Sequence, residues 1–131
     1  SIYFVGDLEK FKRVADGMHS DTQGFAEKNK LLAEVKEKVA YLKIEIIAGE
    51  KKPESRLLIA PEVAGFKKRF PTSMYLNRLD YLLAIAYVES ERIEEGKKIF
   101  ETLLKDEKVS EHIRELSKSE LALLKIKEKT L

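Results

Sequence analysis

Apolar residues recur at spacings of three and four along most of this chain, and this periodicity restricts the fold more than any other feature. Such spacing places side chains on one face of an α-helix, whereas a half-buried strand needs alternation at every second residue. The longest example is a single stripe formed by Phe25, Leu32, Val35, Val39, Leu42 and Ile46. We find no alternating pattern, although the first five residues fit a short extended arm as well as a helix. The sequence therefore predicts an all-α fold.

The first half of the chain is predicted to contain one long helix and two shorter segments. Residues 1–24 form an arm or a short helix, and the long helix covers residues 25–48, where Gly49 and "EKKPES" end it. Neighbouring apolar residues widen its stripe beyond the narrow seam of a coiled coil, so we expect it to pack within a bundle; these are Leu31, Tyr41, Ile44 and Ile47. Pro61 lacks a backbone N–H, and we expect it to break the helical structure there.

The second half is predicted to form antiparallel helical hairpins. A short helix runs from about Pro61 to Arg69 and ends before Pro71, and Thr72 or Ser73 then caps the next helix. The letters "SERI" make a turn into a helix from about Ile93 to Lys105. Ser110 caps the last helix, which frays near Lys127. The prediction is one helical domain over residues 1–131 with five or six helices.

Composition removes several classes of function. Lys and Arg number 25 against 23 Asp and Glu, a net charge of +2, which does not indicate a broad electrostatic grip on nucleic acid or an anionic membrane. The absence of cysteine excludes disulfides and thiolate chemistry. The longest uncharged run, Tyr81 to Val88, is far below the roughly 20 residues of a membrane-spanning helix. Because the chain begins with Ser1 and not Met, we expect a processed product or a segment of a longer chain.

No catalytic, metal or cofactor site is predicted. His19 and His112 lie in unrelated segments without a carboxylate at a metal-binding spacing. The letters "DGMHSD", residues 16–21, lack the alternating oxygen ligands and final glutamate of a calcium loop. The glycines are scattered singly, so none forms a phosphate-binding loop. We therefore expect a protein without enzymatic activity.

Two helices around "SER" are predicted to touch through small residues. Helices joined by a short turn lie antiparallel and approach closely only where facing residues are small. Ala84 and Gly96 meet this need, although Gly96 costs about 1 kcal/mol of helix propensity. Tyr87 and Phe100 lie one turn further along their helices, where their rings can fill the space toward a third helix.

These residues resemble a tetratricopeptide repeat over about Ser73 to Lys108. The matching positions are Leu83, Ala84, Tyr87, Gly96, Phe100 and Leu103. Phe66 precedes Phe100 by the 34 residues that such repeats favour, and "ELALLK" resembles the start of another repeat. The letters "RFPTSMYLNR" before "LDYLLAIAY" are similar to repeat junctions in bacterial cell-envelope proteins of this type. Asp80, Leu103 and Lys108 depart from the residues usual at their positions.

The resemblance implies right-handed stacking of helical hairpins over residues 61–128 and a binding role, since such repeats hold peptides or partner proteins on a concave face. That face would include Arg78, Tyr81, Ile85 and Glu89. It also implies a periplasmic or cell-envelope location, whereas without the resemblance we expect a cytoplasmic one. Alternatively, Tyr81 and Ile85 pack on the preceding helix while Arg78 and Glu89 are solvated.

Two other functions stay open at this stage. A structural domain that associates with a second copy would use the same apolar faces, so a homo-oligomer is a possible assembly. A weak nucleic-acid binder would use "FKKRF", in which Lys67, Lys68 and Arg69 lie between Phe66 and Phe70. Because the two rings are four residues apart and share the inward face, we expect the cations to point to water and do not predict a nucleic-acid partner.

Overall fold

The structure, a computed structural model, describes residues 22–130. Within this range it contains five α-helices and no strand, which confirms the all-α prediction. The helices are α1, Thr22–Gly49; α2, Pro53–Arg69; α3, Leu76–Glu89; α4, Ile93–Lys105; and α5, Glu111–Thr130. Residues 22–24, predicted to belong to an arm or short helix over residues 1–24, are instead part of α1. The rest of that predicted segment, with His19 and "DGMHSD", lies outside the described residues.

The chain divides into two units, Ser1–Leu42 and Lys43–Leu131, and α1 contributes to both. The prediction of one domain over residues 1–131 therefore stays a prediction. In the second unit, each helix runs antiparallel to the one before it. The ion pair of Lys43 with Glu62 joins the end of α1 to α2, and Lys97 with Glu128 joins α4 to α5.

The expected break at Pro61 is wrong, because α2 continues through that residue from Pro53 to Arg69. A proline inside a helix removes the hydrogen bond to the carbonyl four residues earlier, here that of Leu57. Leu57 and Pro61 are both on the exposed side of α2, where water can bond to the freed carbonyl. The opposite side, with Ile59 and Val63, is buried and holds the helix in place.

The other helix boundaries follow the sequence signals closely. α1 ends at Gly49 and α2 ends before Pro71, as predicted. The Ser110 hydroxyl accepts a hydrogen bond from the backbone N–H of Ile113 at 3.3 Å, which confirms the cap of α5. Ser73 instead accepts from the N–H of Tyr75, the residue that precedes α3, so it shapes the turn before that helix.

Close contact between α3 and α4 occurs at the predicted pair of small residues. A Cβ atom placed on Gly96 would lie 2.9 Å from the carbonyl oxygen of Ala84 and 2.6 Å from Cγ2 of Val88. Both distances are too short for real carbon atoms, so only glycine allows this approach. Phe100, one turn after Gly96, is fully buried. The contact therefore lies within the core of the second unit.

Candidate functional site

A groove in the second unit lies between the end of α1, α2 and α3, and we call it the α1–α3 groove. Its volume is about 200 Å³. Its floor is apolar and is formed by Ile47, Ala48, Ile59, Leu82, Ile85 and Ala86. Charged side chains surround the floor, namely Glu45, Lys51, Arg56, Arg78 and Glu89.

The charged residues form two groups, one at each end of the groove. At one end the Arg78 guanidinium donates to Glu45 at 3.3 Å. At the other, Glu89 accepts hydrogen bonds from Lys51 at 3.1 Å and from Arg56 at 2.9 Å. With three cations against two carboxylates, the lining carries one excess positive charge, and this excess lies at the Lys51 end.

The groove is long enough for a short extended peptide. Arg78 and Glu89 are separated by eleven residues of α3, or about 16 Å at the helical rise of about 1.5 Å per residue. An extended chain rises about 3.3 Å per residue. About five residues of peptide therefore span the distance between the two charged ends.

Three of the four predicted partner-binding residues line the α1–α3 groove. Arg78 and Glu89 stand at its two ends, and Ile85 contributes to the floor between them. The spacing on one face of α3 brings them together. Their role in binding stays a prediction, but the structure places them around one depression.

Tyr81, the fourth predicted residue, is buried and does not line the groove. Its side chain is 9% exposed, and its ring centroid lies 5.9 Å from that of Phe100 on α4. The Arg78 guanidinium covers the ring at 5.5 Å. Burial raises the pKa of the Tyr81 phenol, Glu120 adds to this effect, and Arg78 opposes it. Tyr81 therefore supports Arg78 from beneath, because Arg78 lies against both the ring and Glu45.

Sequence reasoning missed the wall of the groove that α1 and α2 provide. Glu45 and Arg78 are 33 residues apart, as are Arg56 and Glu89. This separation is close to the period that the resemblance favours. Subtracting that period from the position of Arg78 would have pointed to Glu45, at the end of α1, as its neighbour.

The "FKKRF" segment and His112 do not line the α1–α3 groove. In "FKKRF", Lys67 is bound to Asp80 at 2.6 Å, and the Arg69 guanidinium lies 4.9 Å from the Phe70 ring. His112 is exposed on α5. Between residues 22 and 130, no three His, Cys, Asp or Glu side chains are grouped in a way that would hold a metal ion. No helix in that range has the length and apolar character needed to cross a membrane.

Searches against protein-family models, curated proteins and solved structures found no match for this chain.

Proposed function

We propose that this protein is a noncatalytic protein-interaction module of tetratricopeptide-repeat type, which binds an extended segment of a partner protein in the α1–α3 groove. The observation that carries the proposal is the groove itself, an apolar floor between two charged ends. Ligand sites of this kind combine an apolar surface with a few polar groups that fix orientation. Glu45 and Glu89 are each held in ion pairs, an arrangement that suits recognition better than proton transfer.

The repeat-like arrangement of the groove supports the same proposal. The end of α1 and α3 run in the same direction, since Glu45 faces Arg78 and Lys51 faces Glu89. Glu45 and Arg78 are 33 residues apart, close to the period that successive hairpins of a helical repeat would produce, whereas Lys51 and Glu89 are 38 apart. In such repeats the first helices of neighbouring hairpins carry the binding face. A role in a bacterial cell-envelope assembly is part of this proposal and comes from the resemblance alone.

The chemistry of the groove defines the kind of segment that it would take. An aliphatic side chain fits the floor beside Ile85 and Ala48. An acidic residue two or three positions away reaches Lys51 and Arg56, whose two positive charges face the single carboxylate of Glu89. The neighbouring Glu50 is already engaged, because its carboxylate accepts from the Ser55 hydroxyl at 2.8 Å. The proposed partner segment is therefore short, extended and acidic, with one buried aliphatic residue.

The test is a selection from a random peptide library on the full chain, followed by fluorescence anisotropy with the selected peptides. We expect the sequences to share an aliphatic residue next to an acidic one. Ile85→Ala should weaken binding about tenfold, because contacts at the centre of an interface carry most of its energy. Arg56→Gln should have an effect of similar size, because it removes a charge-assisted hydrogen bond to the acidic residue of the peptide. The matched control is Lys68→Gln, which removes an exposed charge of α2 outside the groove and should change affinity less than about twofold.

Two results would contradict the proposal. Peptides that bind equally well to the wild type and to both groove variants would show that binding occurs elsewhere. No binding by any selected peptide up to about millimolar concentration, the weakest useful affinity at about −4 kcal/mol, would show that the groove is not a peptide site. Circular dichroism of each variant identifies any loss that comes from unfolding.

A further inference from the structure

The part of α1 in the first unit exposes a line of large apolar side chains. Phe25, Leu32 and Val39 are seven residues apart and are 64%, 38% and 45% exposed. We call these three residues the α1 stripe. An amphipathic helix normally buries such a stripe, so its exposure indicates a face that another chain can cover. The expectation that this face packs within a bundle is therefore wrong for these three residues.

The spacing of the α1 stripe is that of one position in a heptad repeat. If Phe25, Leu32 and Val39 are a positions, then Lys28, Val35 and Leu42 are d positions. Val35 and Leu42 are half-buried. The line from Phe25 to Leu42 is about 26 Å long at about 1.5 Å per residue. This length and periodicity suit another helix lying along α1, with its side chains inserted between those of the stripe.

The charges beside the α1 stripe are positive. Lys28 borders it on one side and Lys36 on the other, and both are exposed. The acidic residues of this segment lie at the c and f positions, away from the stripe; they are Glu27, Glu34 and Glu37. A helix bound along the stripe therefore brings its own flanking side chains next to lysines and not next to carboxylates.

A second copy of α1 is a poor match for this pattern. In a parallel, in-register pair, Lys28 of one copy faces Lys28 of the other, and Lys36 comes next to Leu31. In an antiparallel pair over the same residues, Lys28 faces Val39 and Lys36 comes next to Asn29. No carboxylate neutralises either lysine in these two alignments. Like charges or unpaired cations at these positions disfavour binding of a second copy of α1.

We propose that the α1 stripe binds an amphipathic helix of a different protein, with aliphatic residues along its centre and Glu or Asp at its flanking positions. Its flanking carboxylates would pair with Lys28 and Lys36. The inference does not depend on the α1–α3 groove, because the stripe lies in the other unit and would take a helix instead of an extended segment.

The experiment uses the full chain and two designed helical probes of about three heptads, with Ile at a and Leu at d. One probe has Glu at its e and g positions and the other has Lys, and fluorescence anisotropy measures binding of each. The acidic probe should bind at least about tenfold more tightly, and its affinity should fall as salt is added. Leu32→Asp should remove most binding. Lys36→Glu should weaken the acidic probe about fivefold and strengthen the basic one.

Lys30→Glu is the matched control, because it makes the same charge change at an exposed f position on the far side of α1. Its effect on the acidic probe should stay below about twofold. Equal binding of the two probes, or equal effects of Lys30→Glu and Lys36→Glu, would overturn the proposal. The proposal would also be overturned if the molecular mass of the wild type rose with protein concentration and that of Leu32→Asp stayed at the monomer value. That result would mean that the stripe binds a second copy of this chain. A third contrary result is a protein that binds neither probe but binds anionic vesicles, with an affinity that Lys36→Glu weakens.

Discussion

The α3–α4 hairpin and the part of α1 up to Leu42 have similar apolar patterns, but the structure buries one and exposes the other. In the hairpin, Leu79, Ala84 and Phe100 are fully buried. In α1, Phe25 and Val39 remain open to solvent. Both segments are helical, as their periodicity predicts. The comparison shows that periodicity determines which side chains share a face, while burial depends on whether a second helix can approach that face.

Small residues explain the approach in the hairpin. The backbone of α4 comes so near to α3 at Gly96 that a Cβ atom would collide with the Ala84 carbonyl oxygen. This contact lets the larger Leu79 and Phe100 be enclosed on either side of it. A helix pair without such a contact would be held apart by its own side chains, at the usual separation of about 8–10 Å.

Replacing one phenylalanine in each region by alanine should give the largest difference in the free energy of unfolding between the two regions. Phe100→Ala leaves a cavity in a fully buried position and should lower the free energy of unfolding by about 4 kcal/mol. Phe25→Ala removes a ring that is already mostly exposed and should change it by less than about 0.5 kcal/mol. Urea denaturation followed by circular dichroism measures both. Similar losses for the two variants would mean that α1 up to Leu42 is as well covered as the hairpin.

Two glycine substitutions sharpen the comparison at the contact itself. Gly96→Ala gains about 1 kcal/mol of helix propensity, but the new methyl group must displace the Ala84 carbonyl, which costs about 1–3 kcal/mol as overpacking. We therefore expect the free energy of unfolding to fall by about 1 kcal/mol. Gly65→Ala, in α2, has no atom near the new methyl group and should raise stability by up to about 1 kcal/mol. The same urea titration compares them. A stabilising Gly96→Ala would show that close approach does not hold the hairpin together.

Local signals in the sequence were sufficient for most of the fold. Gly49 ends α1 and Ser110 caps α5, because each acts on residues next to it in the chain. Gly96 marks the helix contact, because a glycine in the middle of a helix leaves room for a neighbouring backbone. Pro61 misled the prediction for the opposite reason. Its effect depends on whether the freed carbonyl of Leu57 faces water, and this is decided by tertiary packing.

The candidate site was only half predictable. Arg78, Ile85 and Glu89 share a face of α3, and helical spacing alone brings them together. Tyr81 lies on a neighbouring face of the same helix, yet its ring turns toward Phe100 and is covered by Arg78. Which of two adjacent faces is open depends on where the other helices pack, and this information does not reside in α3.

A rise to alkaline pH should have the smallest effect on stability of the changes considered. It tests whether the hairpin encloses Tyr81. Burial raises the pKa of this phenol above its ordinary value of 10.0, so the folded state holds the proton more tightly than the unfolded state does. The resulting contribution to stability is complete below about pH 10 and is lost as the pH rises through the folded-state pKa. Tyr81→Phe keeps the ring beside Phe100 but has no proton to lose. Between about pH 8 and pH 11, the stability of the wild type should therefore fall more steeply than that of Tyr81→Phe, measured by urea denaturation at each pH. All other ionisable groups are the same in the two proteins, so their contributions cancel in the difference. Parallel pH profiles would therefore mean that the phenol is open to water and that the hairpin leaves this face uncovered, as the α1 stripe is.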